Sequence, residues 1–322
     1  MGQTPNKSIV LFERLSEKES QIVHELMAAA RSEQTRRGYA SDVKRFIAWC
    51  DGQMLEPFPV HMETVMRHVV WLMERNYKLA TIERTLVALG VVQAAIGAAP
   101  FKASVELRQF LKGVRRRKRA DEAVREAPAL MLEDLRVVVG RIDVTTRQGM
   151  RDRALLLVGW FGAMRRSELV ALNFGDIVES REGLRVTIRR SKTDQEARGA
   201  VLGLPRRRDE LCPVAALRAW RAALATETSA TEDGGAVFVA LDNRCRLRRL
   251  APQAVERVLR RYVDEHAPSW TPHSLRAGFA TSAARAGKST WAIRRQTRHR
   301  SVASLTRYMR EAEVFVDSAA DL

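Results

Sequence analysis

Thr297-Arg298-His299-Arg300-Ser301-Val302-Ala303-Ser304-Leu305-Thr306-Arg307-Tyr308 decides how the rest of the chain is read. A histidine is followed nine residues later by a tyrosine, in a run rich in arginine. A phenol can act as a nucleophile, and a phosphodiester is the electrophile that an arginine-rich surface attracts. Tyr308 is therefore a candidate for attack on DNA. A tyrosine at a helix end is more often a packing residue, so the case turns on partners elsewhere in the chain.

Working outward, helical periodicity covers Thr290 to Thr297, Val302 to Arg310, Ser274 to Ala286, Pro252 to His266 and Val214 to Thr226. Upstream lies the only clear β region, Asn173 to Leu204. Leu184 to Arg189 alternates with period two, a turn-like Ser191 to Gly199 follows, and Ala200 to Leu204 returns. Val237 to Ala240 is a further short strand candidate. Leu130 to Val139 and Arg151 to Trp160 read as helices. The apolar run Ala154 to Met164 is eleven residues long, too short to span a bilayer, and is expected to be a buried core helix.

Towards the N-terminus the chain is all-helical. Tyr39, Val43, Phe46, Ile47 and Cys50 share one side of a helix, leaving Arg36, Arg37, Lys44 and Arg45 for solvent or a polyanion. Helices follow at His61 to Asn76, from Thr81 as N-cap candidate to about Ile96, and at Ser104 to Val114. Five consecutive basic residues, Arg115 to Arg119, then suggest a linker; they repel one another unless phosphates lie alongside. The expected organisation is an N-terminal segment over 1–30 whose role is not legible, an α-helical DNA-binding domain over 31–114, a basic linker over 115–128, and a second domain over 129–322. Arg36, Arg37, Lys44, Arg115, Arg116 and Arg117 are the candidate DNA contacts.

The charge supports that partner. The 322 residues carry 55 Lys and Arg against 38 Asp and Glu, a formal +17, which points to nucleic acid. Residues 1 to 120 hold 20 basic and 12 acidic side chains, so the excess is shared and both domains are expected to face the polyanion. Cys50, Cys212 and Cys245 lack ligand spacing, so no metal is implied and the thiols are expected to be reduced in a cytoplasmic, nucleoid-associated protein. The polar start is unlike a signal peptide, and no membrane partner is expected.

Transfer of a phosphodiester to a phenol builds charge on the nonbridging oxygens and needs an acid for the leaving oxygen. Arginine suits the first task because its planar fork donates two parallel hydrogen bonds. Three segments offer what is required. In Gly162-Ala163-Met164-Arg165-Arg166-Ser167-Glu168-Leu169, Arg165 stands at the end of the buried helix, and Glu168 either orients its guanidinium or begins the next helix. In Thr271-Pro272-His273-Ser274-Leu275-Arg276, threonine as N-cap and proline at the first turn fix a helix start, which puts His273 and Arg276 on one face. In Arg190-Ser191-Lys192-Thr193-Asp194, Lys192 sits at the hairpin tip, where a lysine can swing to a leaving 5′ oxygen.

These elements, in this order and ending in His299 and Tyr308, resemble the tyrosine recombinases of the phage-integrase family. Residues 31–114 are similar to that family's core-binding domain. The resemblance implies a mainly α fold with a small antiparallel β-sheet, an α-helical core-binding domain plus a mixed α+β catalytic domain, closing as a clamp on DNA. It implies that Tyr308 forms a 3′-phosphotyrosine, that Arg165 and Arg276 hold the nonbridging oxygens, that His273 and His299 support the phosphate and proton movement, and that Lys192 is the general acid. Glu168 would be supporting. No cofactor is implied, because the phosphotyrosine conserves the bond energy. The implied partners are double-stranded DNA and a homo-tetramer on two sites, with accessory DNA-bending proteins left open. Within the family, such tetramers dock the segment after the tyrosine on a neighbour; here Val314, Phe315 and Val316 are the apolar residues there, and docking within the chain is the alternative. Two positions depart from the family pattern: Arg298 stands where glycine usually precedes the histidine, and Ala163 where glycine often stands two residues before the first arginine. A catalytically silent architectural protein, and a relaxing or hairpin-forming enzyme with the same chemistry, are the alternatives.

Overall fold

A computed structural model of the chain describes residues 33–101, 104–121, 128–189, 199–225, 233–241, 247–265, 267–299, 301, 305–306 and 308–309. It divides into two compact units, Met1–Arg125 and Glu126–Leu322.

The first unit is helical throughout its described residues: α1 (Glu33–Gly52), α2 (Met62–Glu74), α3 (Leu79–Ala95) and α4 (Val105–Asp121). Phe46 and Cys50 on α1 are fully buried with Leu72 of α2, Leu89 of α3 and Leu107 of α4, so each helix commits its apolar stripe to one core. Asp42, also buried, accepts two bonds from the Arg84 guanidinium, at 2.6 and 3.0 Å, and a third from Arg45 at 3.1 Å. That satisfies a carboxylate which would otherwise be costly inside.

Two boundaries differ from the expectation. Thr81 does not cap α3: the helix starts at Leu79 after Lys78, and the Thr81 carbonyl accepts from the Thr85 hydroxyl one turn on. The run Arg115 to Arg119, where the linker was expected to begin, is helical, because α4 continues to Asp121. Arginine and lysine are good helix formers, Glu83 pairs with Arg115 at 2.8 Å, and Lys118 is buried.

His68 lies inside this core, edge-on to Phe46 and close to Trp49 and Trp71, with neither ring nitrogen hydrogen-bonded among the described residues. Burial first, then Arg45, pushes its pKa down to about 4, against a smaller opposing effect of Asp42. A depressed histidine favours the fold above its unfolded pKa and withdraws that support as pH falls through the folded one. Between pH 6.5 and 4 the unit should lose about 3 kcal/mol through His68. The check is urea unfolding of the full chain followed by amide hydrogen exchange in α1 and α2. The acid loss should be smaller by that amount in His68→Phe, and equal losses in both proteins would refute the assignment.

The second unit is built on α6 (Arg147–Phe161), whose residues from Ala154 to Phe161 are all buried. Around it stand α5 (Leu132–Gly140), α7 (Arg166–Ala171), α8 (Pro213–Ala225), α9 (Ala254–Arg261), α10 (Pro272–Arg285) and α11 (Thr290–Thr297). The helix expected over 252–266 is thus shorter than its pattern. A three-stranded antiparallel sheet runs β1 (Ile177–Glu179), β2 (Gly183–Ile188), β3 (Ala200–Pro205), in that spatial order. Leu184, Val186 and Ile188 alternate inward on β2 and Leu202 and Leu204 on β3, as period-two patterning requires. A two-stranded ribbon pairs β4 (Val239–Ala240) with β5 (Arg248–Arg249). The chain is therefore mainly α with a small antiparallel sheet. No helix of the described residues is long and apolar enough to cross a membrane.

Two features fix α10, which carries His273 and Arg276. Leu130 donates its N–H to Ser274 and accepts the Trp160 indole N–H at 2.9 Å, pinning α10 to α6. Gly278 lets the helix lie against that strand-like segment: a Cβ there would fall 1.6 Å from the Leu130 carbonyl oxygen.

Candidate active site

Arg165 follows the turn Gly162-Ala163-Met164 at the end of α6 and caps α7. Glu168, three residues on, does both of the things its spacing allowed. One carboxylate oxygen accepts the Arg165 backbone N–H at 2.9 Å and the other accepts its guanidinium at 2.6 Å. The turn is tight: Ala163 has φ 44°, a left-handed conformation in which a side chain is disfavoured.

Thr271 caps α10 as expected, its hydroxyl accepting from the His273 N–H at 3.3 Å, with Pro272 in the first turn. His273 is exposed, while Arg276, one turn further, is only 2% exposed. Its Nη1 donates to the Ala163 carbonyl at 2.8 Å, so the second predicted arginine is anchored to the turn that presents the first. Its Nη2 is buried without an acceptor among the described residues. Burial, then the charges of Arg165 and Arg298, push the Arg276 guanidinium down to about 9. A buried guanidinium with a donor unused among the described residues still has a hydrogen bond to give.

His299 follows α11. The Thr297 hydroxyl donates to the Ile293 carbonyl at 2.7 Å, and its oxygen lies 2.8 Å from His299 Nδ1. The hydroxyl proton being used, Nδ1–H is the donor in that contact and Nε2 carries the lone pair. Burial, then Arg276 and Arg165, hold His299 at about 4, so the ring is neutral near neutral pH. Tyr308 is 4% exposed, packed on Ala277, Ala280, Ile293 and Leu305, its ring centroid 5.9 Å from that of His299. Its hydroxyl lies 3.4 Å from His273 Nε2, at the long end of hydrogen-bond reach.

The structure thus brings together Arg165, Glu168, His273, Arg276, His299 and Tyr308. Lys192 lies outside the described residues, as do Val314, Phe315 and Val316. Of the candidate DNA contacts, Arg36, Arg37, Lys44, Arg115, Arg116 and Arg117 are all exposed. Arg37 pairs with Glu33 and Arg115 with Glu83, whereas Arg36, Lys44, Arg116 and Arg117 form no ion pair among the described residues.

Two contributors were not legible in the sequence. Gln296 donates to the Phe161 carbonyl at 2.8 Å and the Gly203 carbonyl at 3.1 Å, tying α11 to α6 and β3. Arg298, noted only as a departure from glycine, sends its guanidinium into the site and donates to Glu168 at 2.6 Å. Neither signal is local, because both bonds join segments distant in sequence.

The sequence model of the phage integrase family matches residues 135–314. An integrase/recombinase XerD homolog of Selenomonas ruminantium is 30% identical over 302 residues, covering 90% of this chain and 85% of the relative. A tyrosine recombinase XerC of Pelotomaculum thermopropionicum is 32% identical over half of each chain. Among solved structures, the Tn1549 transposon integrase in complex with transposon right end DNA aligns with TM-score 0.58 at 18% identity, over 91% of this chain and 96% of that one. Lambda integrase residues 75–356 bound to DNA give TM-score 0.58 at 14% identity, over 92% and 96%. At such identities these two speak to fold alone.

Proposed function

Because the chain belongs to the phage integrase family and is a site-specific recombinase acting on DNA, we propose that it exchanges strands through a covalent bond between Tyr308 and a DNA 3′ phosphate. The Tyr308 oxygen attacks phosphorus, the bond to the 5′ oxygen breaks, and a 3′-phosphotyrosine forms. The phenolic proton passes to His273 Nε2, and the neutral ring of His299 beside the phenol supports that transfer. Arg165 and Arg276 hold the nonbridging oxygens, and Lys192 protonates the leaving 5′ oxygen. Attack by a 5′ hydroxyl of the partner duplex reverses each transfer and rejoins the strands. The observation that carries the reading is the buried Arg276 guanidinium, its Nη2 unpartnered among the described residues, beside a phenol already in reach of an imidazole.

Double-stranded DNA is the partner this chemistry requires, as in the DNA complexes of the integrases it resembles in fold. Exchange between two duplexes breaks four strands, and one nucleophile per strand calls for four copies of the chain. A cytoplasmic, nucleoid-associated protein fits such a substrate. Arg36, Lys44, Arg116 and Arg117 are the exposed cations offered to its backbone.

The test is incubation with a nicked suicide duplex carrying the target site, followed by proteolysis and mapping of the DNA-linked peptide. Linkage through Tyr308 is expected. Tight binding with no adduct favours the architectural alternative, and linkage through another residue overturns the assignment. Lys192→Ala should slow cleavage about a hundredfold, and a duplex with a bridging 5′ sulfur should restore it, since a thiolate leaves without an acid. Persistence of the defect on the sulfur substrate would remove Lys192 from that role.

A further inference from the structure

The position before His299 is C-terminal to α11 and left-handed, with φ 57° and ψ 41°, a conformation suited to glycine. The chain instead places an arginine there and turns its side chain inward. The Arg298 guanidinium is almost fully buried. Nη1 donates to the Gly162 carbonyl at 3.2 Å and the Gln296 carbonyl at 2.8 Å, and Nη2 to the Ala163 carbonyl at 3.2 Å and Glu168 at 2.6 Å. Both ends of this link are strained: Arg298 and Ala163 are each non-glycine residues at positive φ. Strain held at two facing turns, and bridged by one buried cation, is placed where surrounding contacts over-determine it.

The charges explain what the bridge does. Glu168 is buried, and its two oxygens are divided between Arg165 and Arg298. Burial alone would raise its pKa, yet Arg298 and then Arg165 outweigh burial and keep it ionised. With only Arg165 and Arg276 nearby, the carboxylate would cancel half of the positive charge facing a phosphate. A third guanidinium restores that excess; both of its terminal nitrogens are engaged, and only its Nε is without an acceptor among the described residues.

We propose that Arg298 is a positioning residue for strand cleavage: it neutralises Glu168, so that Arg165 and Arg276 keep their charge for the phosphate, and it fastens the turn before His299 to the turn before Arg165. The proposal rests on the phosphate-transfer reading of the site. Glycine at 298 removes the guanidinium and relaxes the backbone, so a residue that merely ends a helix would tolerate it.

The experiment compares wild type, Arg298→Gly, Arg298→Lys and the double variant Arg298→Gly/Glu168→Gln. It measures single-turnover cleavage at saturating suicide duplex, DNA binding, thermal melting and the pH profile. If wild type forms no Tyr308 adduct, the reading of the site fails and this proposal with it. Given that adduct, Arg298→Gly, assayed well below its own melting temperature, should cut about tenfold or more slowly. Arg298→Lys, which keeps the charge, should recover part of the rate. Glu168→Gln in the glycine background restores the net charge and should recover part of it too. The acid limb should also move to higher pH in Arg298→Gly. Arg276, Arg165, His273 and Arg298 are the charges that face His299, and loss of one lets its pKa rise from about 4. Unchanged cleavage in Arg298→Gly, loss only in step with melting, or no recovery in the double variant would each overturn the proposal.

Discussion

Tyr308→Phe should bind target DNA as the wild type does and form no covalent adduct, a loss of at least about ten-thousandfold in cleavage. Ring burial against Ala277, Ala280, Ile293 and Leu305 is unchanged by removing one oxygen. The hydroxyl's contact with His273 is long and lies at an exposed side chain, where water can replace it. Stability should therefore shift by less than about 1 kcal/mol, and the loss is chemical. A nicked suicide duplex resolved on a denaturing gel measures adduct, and a gel-shift titration measures binding. Adduct of normal yield in the variant would mean that another side chain attacks.

What the sequence revealed follows how local each signal is. Arg165 with Glu168, and His273 with Arg276, are pairs three residues apart at helix starts, so spacing and capping chemistry place them before any tertiary contact is known. Helix α11 is legible for the same reason, bounded by Ser289, whose hydroxyl caps Ala292, and by the turn at Arg298. Family resemblance supplied the order of the elements and the roles, which no single segment supports.

The failures share a different cause. Strand β1 falls inside the expected β region, but at three residues it has no pattern of its own and takes its conformation from pairing with Leu184, Arg185 and Val186 of β2. Strand β5 is two arginines, poor strand formers held in place because Arg249 donates to the carbonyls of Val170 and Leu172. The Arg115 to Arg119 run lies beyond the last apolar position and repels itself, which suggests a linker, yet helix propensity and a buried Lys118 decide its conformation. The bridge from Arg298 to Glu168 spans 130 positions. A positive φ could be suspected from the family's glycine, but the direction of the side chain depended on a turn that only the fold brings near.

Arg276→Lys should be as informative as removal of the nucleophile, because it keeps a basic side chain at the site and still fails. At pH 8 cleavage should fall on the order of a thousandfold, the usual effect of removing a donor aimed at transition-state charge. Arginine at this place uses Nη1 for the Ala163 carbonyl and leaves Nη2 for a phosphate oxygen, a division of labour a single ammonium cannot reproduce. Protonation adds a second defect. Burial, Arg165 and Arg298 already push the guanidinium down to about 9. An ammonium starting near ~10.4 and lowered comparably would titrate roughly around neutrality, leaving a neutral amine at pH 8. Lowering the pH reprotonates it, so cleavage by the variant should rise between pH 8 and 6.5, where the wild type, with its arginine charged throughout, gains nothing. Single-turnover rates across that range decide the matter: a variant that cuts at the wild-type rate, or whose residual activity follows the wild-type pH profile, would show that Arg276 meets no phosphate.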